Sequence, residues 1–332
     1  MNILIIRLSA LGDVAMTIPA LYSVAKAFPQ HRFFVLTTSF CARLFLHRPE
    51  NIIMLTVEPR EVLGFLGTVR LLCKLAEFHF SAVADLHNVL RSWIIDWVLF
   101  AGGAKVVMLD KNRMQRREIL SHRQVSSRPF VLRYMDVFAR LGLPTEMTFT
   151  SLFPEDLPPF PAQGISAKGT QHWVGIAPFA RYQTKIYPLA LMKKVVQQLS
   201  HRAETVLFLF GARGAEAEEL EKWTIGYPNV ISVAGNMTLE EELALMAHLD
   251  VMLTMDSANM HLASLVDTRV VSIWGSTTPA CGFMGFGQKG EDALVAGLPC
   301  QPCSIAGCKR CHRGNNACMG ALTPDDIVQI IS

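Results

Sequence analysis

The sequence predicts an α/β protein of two Rossmann-like, doubly wound domains facing a central cleft, and three observations carry that prediction. First, Met255 to Ala263 (MDSANMHLA) joins the apolar run Val251-Met252-Leu253 to a helix read from His261-Leu262-Ala263. An acid, a hydroxyl and small residues therefore stand where a strand becomes a helix, and the free N–H groups of a first helical turn are a socket for an anion such as a phosphate. The alternative is that Asp256 or Ser257 only caps a buried helix. Second, Asn2 to Leu8 (NILIIRL) is an apolar strand and Ser9 to Asp13 (SALGD) a short glycine-containing turn. Val14 to Phe28 follows as a helix with Val14, Ile18, Leu21, Val24 and Ala25 on one face. Asp13 would stand at the carboxyl edge of that strand, where open α/β sheets place their ligands. Third, one long Pro/Gly-rich segment, Pro154 to Thr170, separates two series of alternating strands and helices.

In the first series, apolar runs at His31 to Leu36, Asn51 to Val57, Ala82 to Asp85 and Lys105 to Leu109 read as strands. Helices fall at Val62 to Phe78, Val89 to Phe100 and Tyr134 to Leu141. The bulky apolar face Trp93, Ile94, Trp97, Val98 and Phe100 is either a buried core face or one turned toward lipid beside a basic loop. The second series has strands at Trp173 to Ala177, Thr205 to Phe210, Val230 to Val233, Val251 to Thr254 and Val270 to Trp274. Its helices run from Pro188 to Ser200, from Ala215 and from Leu239 to Ala247. The expected organisation is an N-terminal domain over 1–153, a linker over 154–171 and a C-terminal domain over 172–332 carrying a Cys-rich loop at 300–318.

A chain of 332 residues, 51% apolar, fills two cores. No apolar run reaches the roughly 18 residues of a membrane span, and the chain enters a strand without a signal-like start, so a cytoplasmic protein is expected. The net charge of +3 is uneven: residues 1–150 hold 18 Lys+Arg against 11 Asp+Glu, and the remainder 13 against 17. Much of the excess lies between Lys105 and Arg133, a segment that would attract a phosphorylated partner or an anionic membrane, or would simply be a solvated basic face. Nucleic acid is not expected, because the run lacks interleaved aromatic stacking platforms.

Five of the eight cysteines lie in CQPCSIAGCKRCHRGNNAC, Cys300 to Cys318. Two C-x-x-C pairs four residues apart are a knuckle-like pattern, open to a structural zinc, to free thiols in a reducing compartment, or to redox pairs.

Taken together, SALGD, DLHNVLRS at Asp85 to Ser92, a lysine before an aromatic and a proline at Lys185 to Pro188, GNMTLEEELALMAHLD at Gly235 to Asp250, MDSANMHLA and WGSTTP at Trp274 to Pro279 resemble glycosyltransferase family 9, the ADP-heptose:lipopolysaccharide heptosyltransferases. The likeness runs over nearly the whole chain and implies a GT-B fold. It implies an inverting transfer of heptose from ADP-heptose to a lipid-linked lipopolysaccharide or lipooligosaccharide core acceptor, peripheral at the inner face of the cytoplasmic membrane. Inversion needs a base on the acceptor hydroxyl, a role that falls to Asp13, and charge stabilisation on the leaving diphosphate, which falls to Lys185. The resemblance places Arg181, Glu216 and the turn Asp256, Ser257, Ala258, Asn259, Met260 and His261 on the donor. It places Arg91, with the basic residues Lys111, Arg113, Arg116 and Arg117, on the acceptor. No cofactor is implied for catalysis, and Cys300, Cys303, Cys311 and Cys318 match the recurring cysteine set that would hold a structural zinc. Two departures stand out: Ala258 and Asn259 follow Asp256-Ser257 where relatives carry a glycine, and Arg213 stands where some carry a ribose-contacting glutamate, leaving Glu216 for that role. The rival readings are a nucleotide-sugar epimerase on the same architecture and a non-catalytic, zinc-stapled nucleotide-binding protein.

Overall fold

The computed structural model describes residues 1–58, 60, 64–123, 125–160 and 168–331. Val62, which opens one expected helix, and residues 161–167 of the proline-rich segment lie outside the described residues. The chain divides into two compact units, Met1–Asn112 with Arg128–Thr150, and Arg113–Ser127 with Ser151–Ser332.

The first unit runs β1 (Asn2–Ile6), α1 (Leu11–Ala15), α2 (Thr17–Ala27), β2 (Arg32–Thr38), α3 (Ser39–Ala42), β3 (Ile52–Val57), α4 (Gly64–Ala76), β4 (Ala82–Asp85), α5 (Leu90–Ala101) and β5 (Lys105–Met108). After α6 (Arg113–Leu120), which groups with the second unit, α7 (Phe130–Leu141) completes it. The strands form one parallel sheet in the order β3-β2-β1-β4-β5. Both faces of a parallel sheet are covered, which is why its inner strands are continuous apolar runs rather than alternating ones. Leu4, Ile6, Phe34, Leu36 and Val83 form the core on one side. Helix α7 stops at Gly142, whose φ of 98° is the left-handed conformation that glycine adopts without strain.

The second unit contains β6 (His172–Ala177), α8 (Leu189–Ser200), β7 (Thr205–Leu209), α9 (Ala215–Thr224), β8 (Val230–Ser232), α10 (Leu239–Ala247), β9 (Val251–Met255), α11 (Ala258–Leu265), β10 (Arg269–Trp274), β11 (Ala293–Val295), α12 (Ala317–Gly320) and α13 (Pro324–Ile331). Its parallel sheet has the order β11-β10-β9-β6-β7-β8. Helix α10 begins where the sequence carries a capping box: Thr238 Oγ1 accepts from Glu241 N at 3.3 Å, and Glu241 Oε2 accepts from Thr238 N at 2.7 Å.

Three features differ from the sequence reading. Residues 113–127, read as part of the first domain, belong to the second unit, where α6 packs on the 3-10 turn Pro279–Cys281 and Ser127 N donates to Ala280 O at 2.8 Å. Described parts of the linker also join that unit: Pro158 O contacts His248 Nε2 at 2.8 Å and Lys168 pairs with Asp250 at 2.7 Å. The bulky face of α5 is not a core face, since the helix buries Ser92, Ile95 and Asp96 and leaves Trp93, Ile94, Trp97, Val98 and Phe100 exposed.

Candidate functional site

Chain order and sheet order together mark one special edge in each unit. In the first, the chain builds β1, β2 and β3 outward to one side and then β4 and β5 to the other, so the winding reverses between β1 and β4. In the second it reverses between β6 and β9. Loops leaving the carboxyl ends of such strand pairs diverge and open a crevice, the usual ligand site of open α/β sheets. Asp13 follows β1 and Asp85 ends β4; Lys185 follows β6 and Asp256 follows β9. The residues expected to act thus stand at the two reversal points.

At the first of these edges, the helix starts earlier than expected, at Leu11, so Asp13 lies within the first turn of α1 rather than in the loop before it. Arg7, the first residue beyond β1, holds the site together: Nη2 pairs with Asp13 Oδ2 at 2.5 Å and Nη1 donates to Leu86 O at 2.6 Å. Arg7 is 7% exposed; burial works against its charge, and Tyr134, Asp13 and Asp85 outweigh that, keeping the guanidinium protonated. Asp13 stays partly open, its side chain 30% exposed. A fixed, accessible carboxylate is what a proton acceptor requires. Asp85 is fully buried and organises the loop: its Oδ1 accepts from His87 N and Asn88 N, both at 2.8 Å, and its Oδ2 from Ser92 Oγ at 2.6 Å. DLHNVLRS is therefore largely a scaffold that presents Arg91 in the exposed first turn of α5. His87, which sequence reasoning passed over, is pushed down to about 4 by burial and then by the Arg7 charge, so it faces the site as a neutral imidazole.

At the second edge, Lys185 closes the 3-10 turn Gln183–Lys185 and reaches across to β9, where Nζ pairs with Asp256 Oδ2 at 2.6 Å. Thr277 Oγ1 donates to the same oxygen at 2.5 Å. Both partners are nearly buried, with 10% and 5% of the side chains exposed, so the lysine is anchored at the start of α11. That helix begins at Ala258, three residues earlier than read. The N-cap Ser257 makes no capping bond, its hydroxyl lying 3.2 Å from Thr254 Oγ1, so the first-turn N–H groups have no side-chain acceptor there. Ala258 and Asn259 do not have positive φ, so the side chains that replace a glycine are accommodated without strain. Met260 and His261 point into the protein, leaving the backbone as the ligand-facing part of this turn.

A strap from the Cys-rich loop braces Lys185. Thr184 Oγ1 donates to Cys308 O at 2.6 Å and lies 2.9 Å from Ser276 Oγ, while Ser276 O accepts from Cys303 N and Ser304 N at 3.0 and 2.9 Å. Gly307, at φ 104°, packs so closely that a Cβ there would come within 2.5 Å of the Tyr182 ring and 2.7 Å of Lys185 Cε. Cys300, Cys303, Cys311 and Cys318 line one small cavity of about 20 Å³, and all eight cysteines are free thiols. Among the described residues no three His, Cys, Asp or Glu groups stand close enough to hold a metal ion, so the zinc expectation is not met by this geometry. Burial and the neighbouring thiols push Cys303 up to about 11, as for a protonated sulfhydryl.

The other predicted residues are spread out. Glu216 opens α9, and its Oε2 accepts from Ala212 N at 2.8 Å. Arg213 donates to Gly235 O at 3.0 and 3.2 Å, and Arg181 lies over the Tyr182 ring at 5.6 Å. Of the acceptor set, Arg91 and Lys111 belong to the first unit, whereas Arg113, Arg116 and Arg117 sit on α6 in the second.

Comparison with known proteins identifies the family and the fold. The family model described as glycosyltransferase family 9 (heptosyltransferase) matches residues 68–311. Lipopolysaccharide heptosyltransferase 1 of Pseudomonas aeruginosa is 26% identical, with 91% of this chain and 86% of that protein aligned. Among solved structures, the Escherichia coli heptosyltransferase WaaC with ADP superposes with a TM-score of 0.68 at 18% identity, covering 100% of this chain and 99% of that one. The family 9 glycosyltransferase of Veillonella parvula gives 0.75 at 18% identity over 99% and 95%. The two parallel-sheet units are the two halves of a GT-B fold. The chain belongs to glycosyltransferase family 9 and is a glycosyltransferase.

Proposed function

We propose that this enzyme transfers heptose, with inversion, from ADP-heptose to a lipid-linked, phosphorylated core acceptor of lipopolysaccharide or lipooligosaccharide, at the cytoplasmic face of the membrane. The observation that carries the reading is Lys185, fixed at the reversal point between β6 and β9 beside the open first turn of α11. A lysine and free N–H groups at one strand edge suit a diphosphate, and the names of the relatives support heptose and the core acceptor.

In this reading the acceptor hydroxyl oxygen attacks the anomeric carbon of the donor as its proton passes to an Asp13 oxygen. The bond from that carbon to the diphosphate oxygen breaks on the opposite face, and ADP departs with the electron pair. Arg7 holds Asp13 in place, through the pair at 2.5 Å. Lys185 and the α11 amides take up the charge that builds on the leaving diphosphate, and these groups, rather than a cofactor, supply the stabilisation. Before the donor binds, Asp256 neutralises Lys185; the arriving phosphate shares the lysine with it. Arg91, Lys111 and the cations of α6 meet phosphate groups of the acceptor, with Arg181 and Glu216 on the donor nucleoside.

The test is calorimetric titration with ADP, UDP, GDP and CDP, followed by mass spectrometry of a core-lipid acceptor incubated with the matching sugar nucleotide. Preference for ADP and a mass gain of one heptose are expected. Preference for another nucleotide overturns the donor, and the lack of any nucleotide binding overturns the assignment of Lys185.

A further inference from the structure

The exposed arc of α5 is chemically unlike the rest of a globular surface. At 100° per residue, Leu90, Trp93, Ile94, Trp97, Val98 and Phe100 fall on one side of the helix, and all six are exposed, Trp97 at 80%, Leu90 at 74% and Phe100 at 69%. The opposite side, Ser92, Ile95 and Asp96, is the one that packs inward. Trp93 is oriented by its indole N–H, which donates to Asn88 Oδ1 at 2.7 Å. Helix α4 packs beside α5 and continues the patch with exposed Leu66 and Val69.

Charge selects the occupant. The arc itself carries none, but exposed Arg91 lies at its edge, Lys105 just beyond its end, and Arg70 and Lys74 on the exposed side of α4. Asp96 is the one acid in the two helices, and it is buried. Glu77, just past the end of α4, is an exposed acid beside these four cations, and the net positive charge left around tryptophan and phenylalanine matches an anionic lipid surface, where indole rings settle at the headgroup boundary and Lys/Arg meet phosphates. Pairing with a second copy through the same face would bring like charges together. No helix among the described residues is long and apolar enough to cross a membrane, so the contact is a surface one.

We propose that α5, with the adjoining face of α4, is a membrane-docking surface that inserts Trp97, Phe100 and Leu90 into the headgroup boundary of an anionic bilayer. The proposal rests on the reading above in one respect only: a lipid-linked acceptor gives such docking a purpose.

The experiment is cosedimentation of the full chain with phosphatidylethanolamine/phosphatidylglycerol vesicles and with phosphatidylcholine vesicles, alongside light scattering of the free protein. The wild type should bind the anionic vesicles and bind phosphatidylcholine more weakly, with a strong loss at high salt. Trp97→Glu with Phe100→Glu should lower partitioning at least about tenfold while leaving the circular dichroism spectrum unchanged. Arg70→Glu with Lys74→Glu should weaken only the anionic-vesicle component. Transfer to a deacylated acceptor should survive the Trp97/Phe100 change, and transfer to a vesicle-embedded acceptor should fall. Wild-type protein that ignores vesicles overturns the proposal, as does a double variant that binds like wild type or a wild-type dimer that the double variant dissociates. Vesicle binding without any sugar transfer upholds the surface and overturns the proposed function; transfer to a deacylated acceptor without vesicle binding does the reverse.

Discussion

Replacing Asp96 by asparagine should stabilise the first unit, and increasingly so as pH rises. Asp96 is 3% exposed in α5, and among the described residues no donor reaches either of its oxygens. Burial, then the charge of Asp85 beside it, push the carboxyl from 3.8 up to about 8. The folded protein therefore holds a proton that the unfolded chain gives up above the ordinary value. A carboxyl raised in this way favours the folded state most at pH values below its unfolded pKa. Stability then falls as pH climbs toward about 8, where the folded group ionises too. At about 1.36 kcal/mol per pH unit, the loss is on the order of 1–2 kcal/mol at pH 5 and 3–5 kcal/mol at pH 7.5. Asparagine has the same shape, does not ionise and offers Asp85 an N–H donor. Urea unfolding followed by circular dichroism at the two pH values should show a gain for Asp96→Asn that grows by roughly 2–3 kcal/mol between them. A gain of the same size at both pH values, or a loss at both, refutes the reasoning.

Three further outcomes follow from the two strand edges. Asp256→Asn leaves Lys185 charged and buried without its partner, so the protein should lose about 3–5 kcal/mol of stability and bind ADP more tightly, with ADP restoring much of the melting temperature; weaker ADP binding contradicts the sharing of Lys185. Arg7→Lys keeps a charge but cannot hold Asp13 and Leu86 O together, and should cut kcat on the order of 10²-fold with ADP affinity unchanged, measured by steady-state transfer and calorimetry. Gly307→Ala forces a side chain into the Tyr182 and Lys185 contacts at a positive φ; thermal unfolding should show a loss of about 1–3 kcal/mol and titration a weaker ADP affinity.

Much of the fold was legible because parallel strands are buried on both faces and so stand out as apolar runs, as Ala82–Asp85 does, and helix Leu239–Ala247 also falls where it was read. Helix α6 escaped because half of it is charged and Ile119 is its one buried residue, and its grouping with the second unit depends on a distant partner at Pro279–Cys281. Strand β11, three residues long, is too short for any periodicity. The start of α11 was misplaced because Ala-Asn-Met carries no helical period, whereas the burial of Leu262 and Leu265 does. Both reversal-point loops were found from strand, turn and helix order, but side-chain pairing was not. Arg7 read as one more residue of an apolar strand, although a charge closing such a strand six residues before an acid was a usable signal. The family resemblance, rather than the C-x-x-C spacing, picked out the four thiols that share a cavity, and the described residues hold no group of three close enough for a metal ion.

The account turns on Asp13 as the base that accepts the acceptor proton, and Asp13→Asn tests it most directly, through transfer of heptose from ADP-heptose to a core-lipid acceptor with ADP affinity measured in parallel. The amide cannot take the proton, so turnover should fall by about 10²–10⁴-fold while ADP binds as in the wild type. Turnover within a few-fold of wild type would contradict the account, because the base would then have to be another group.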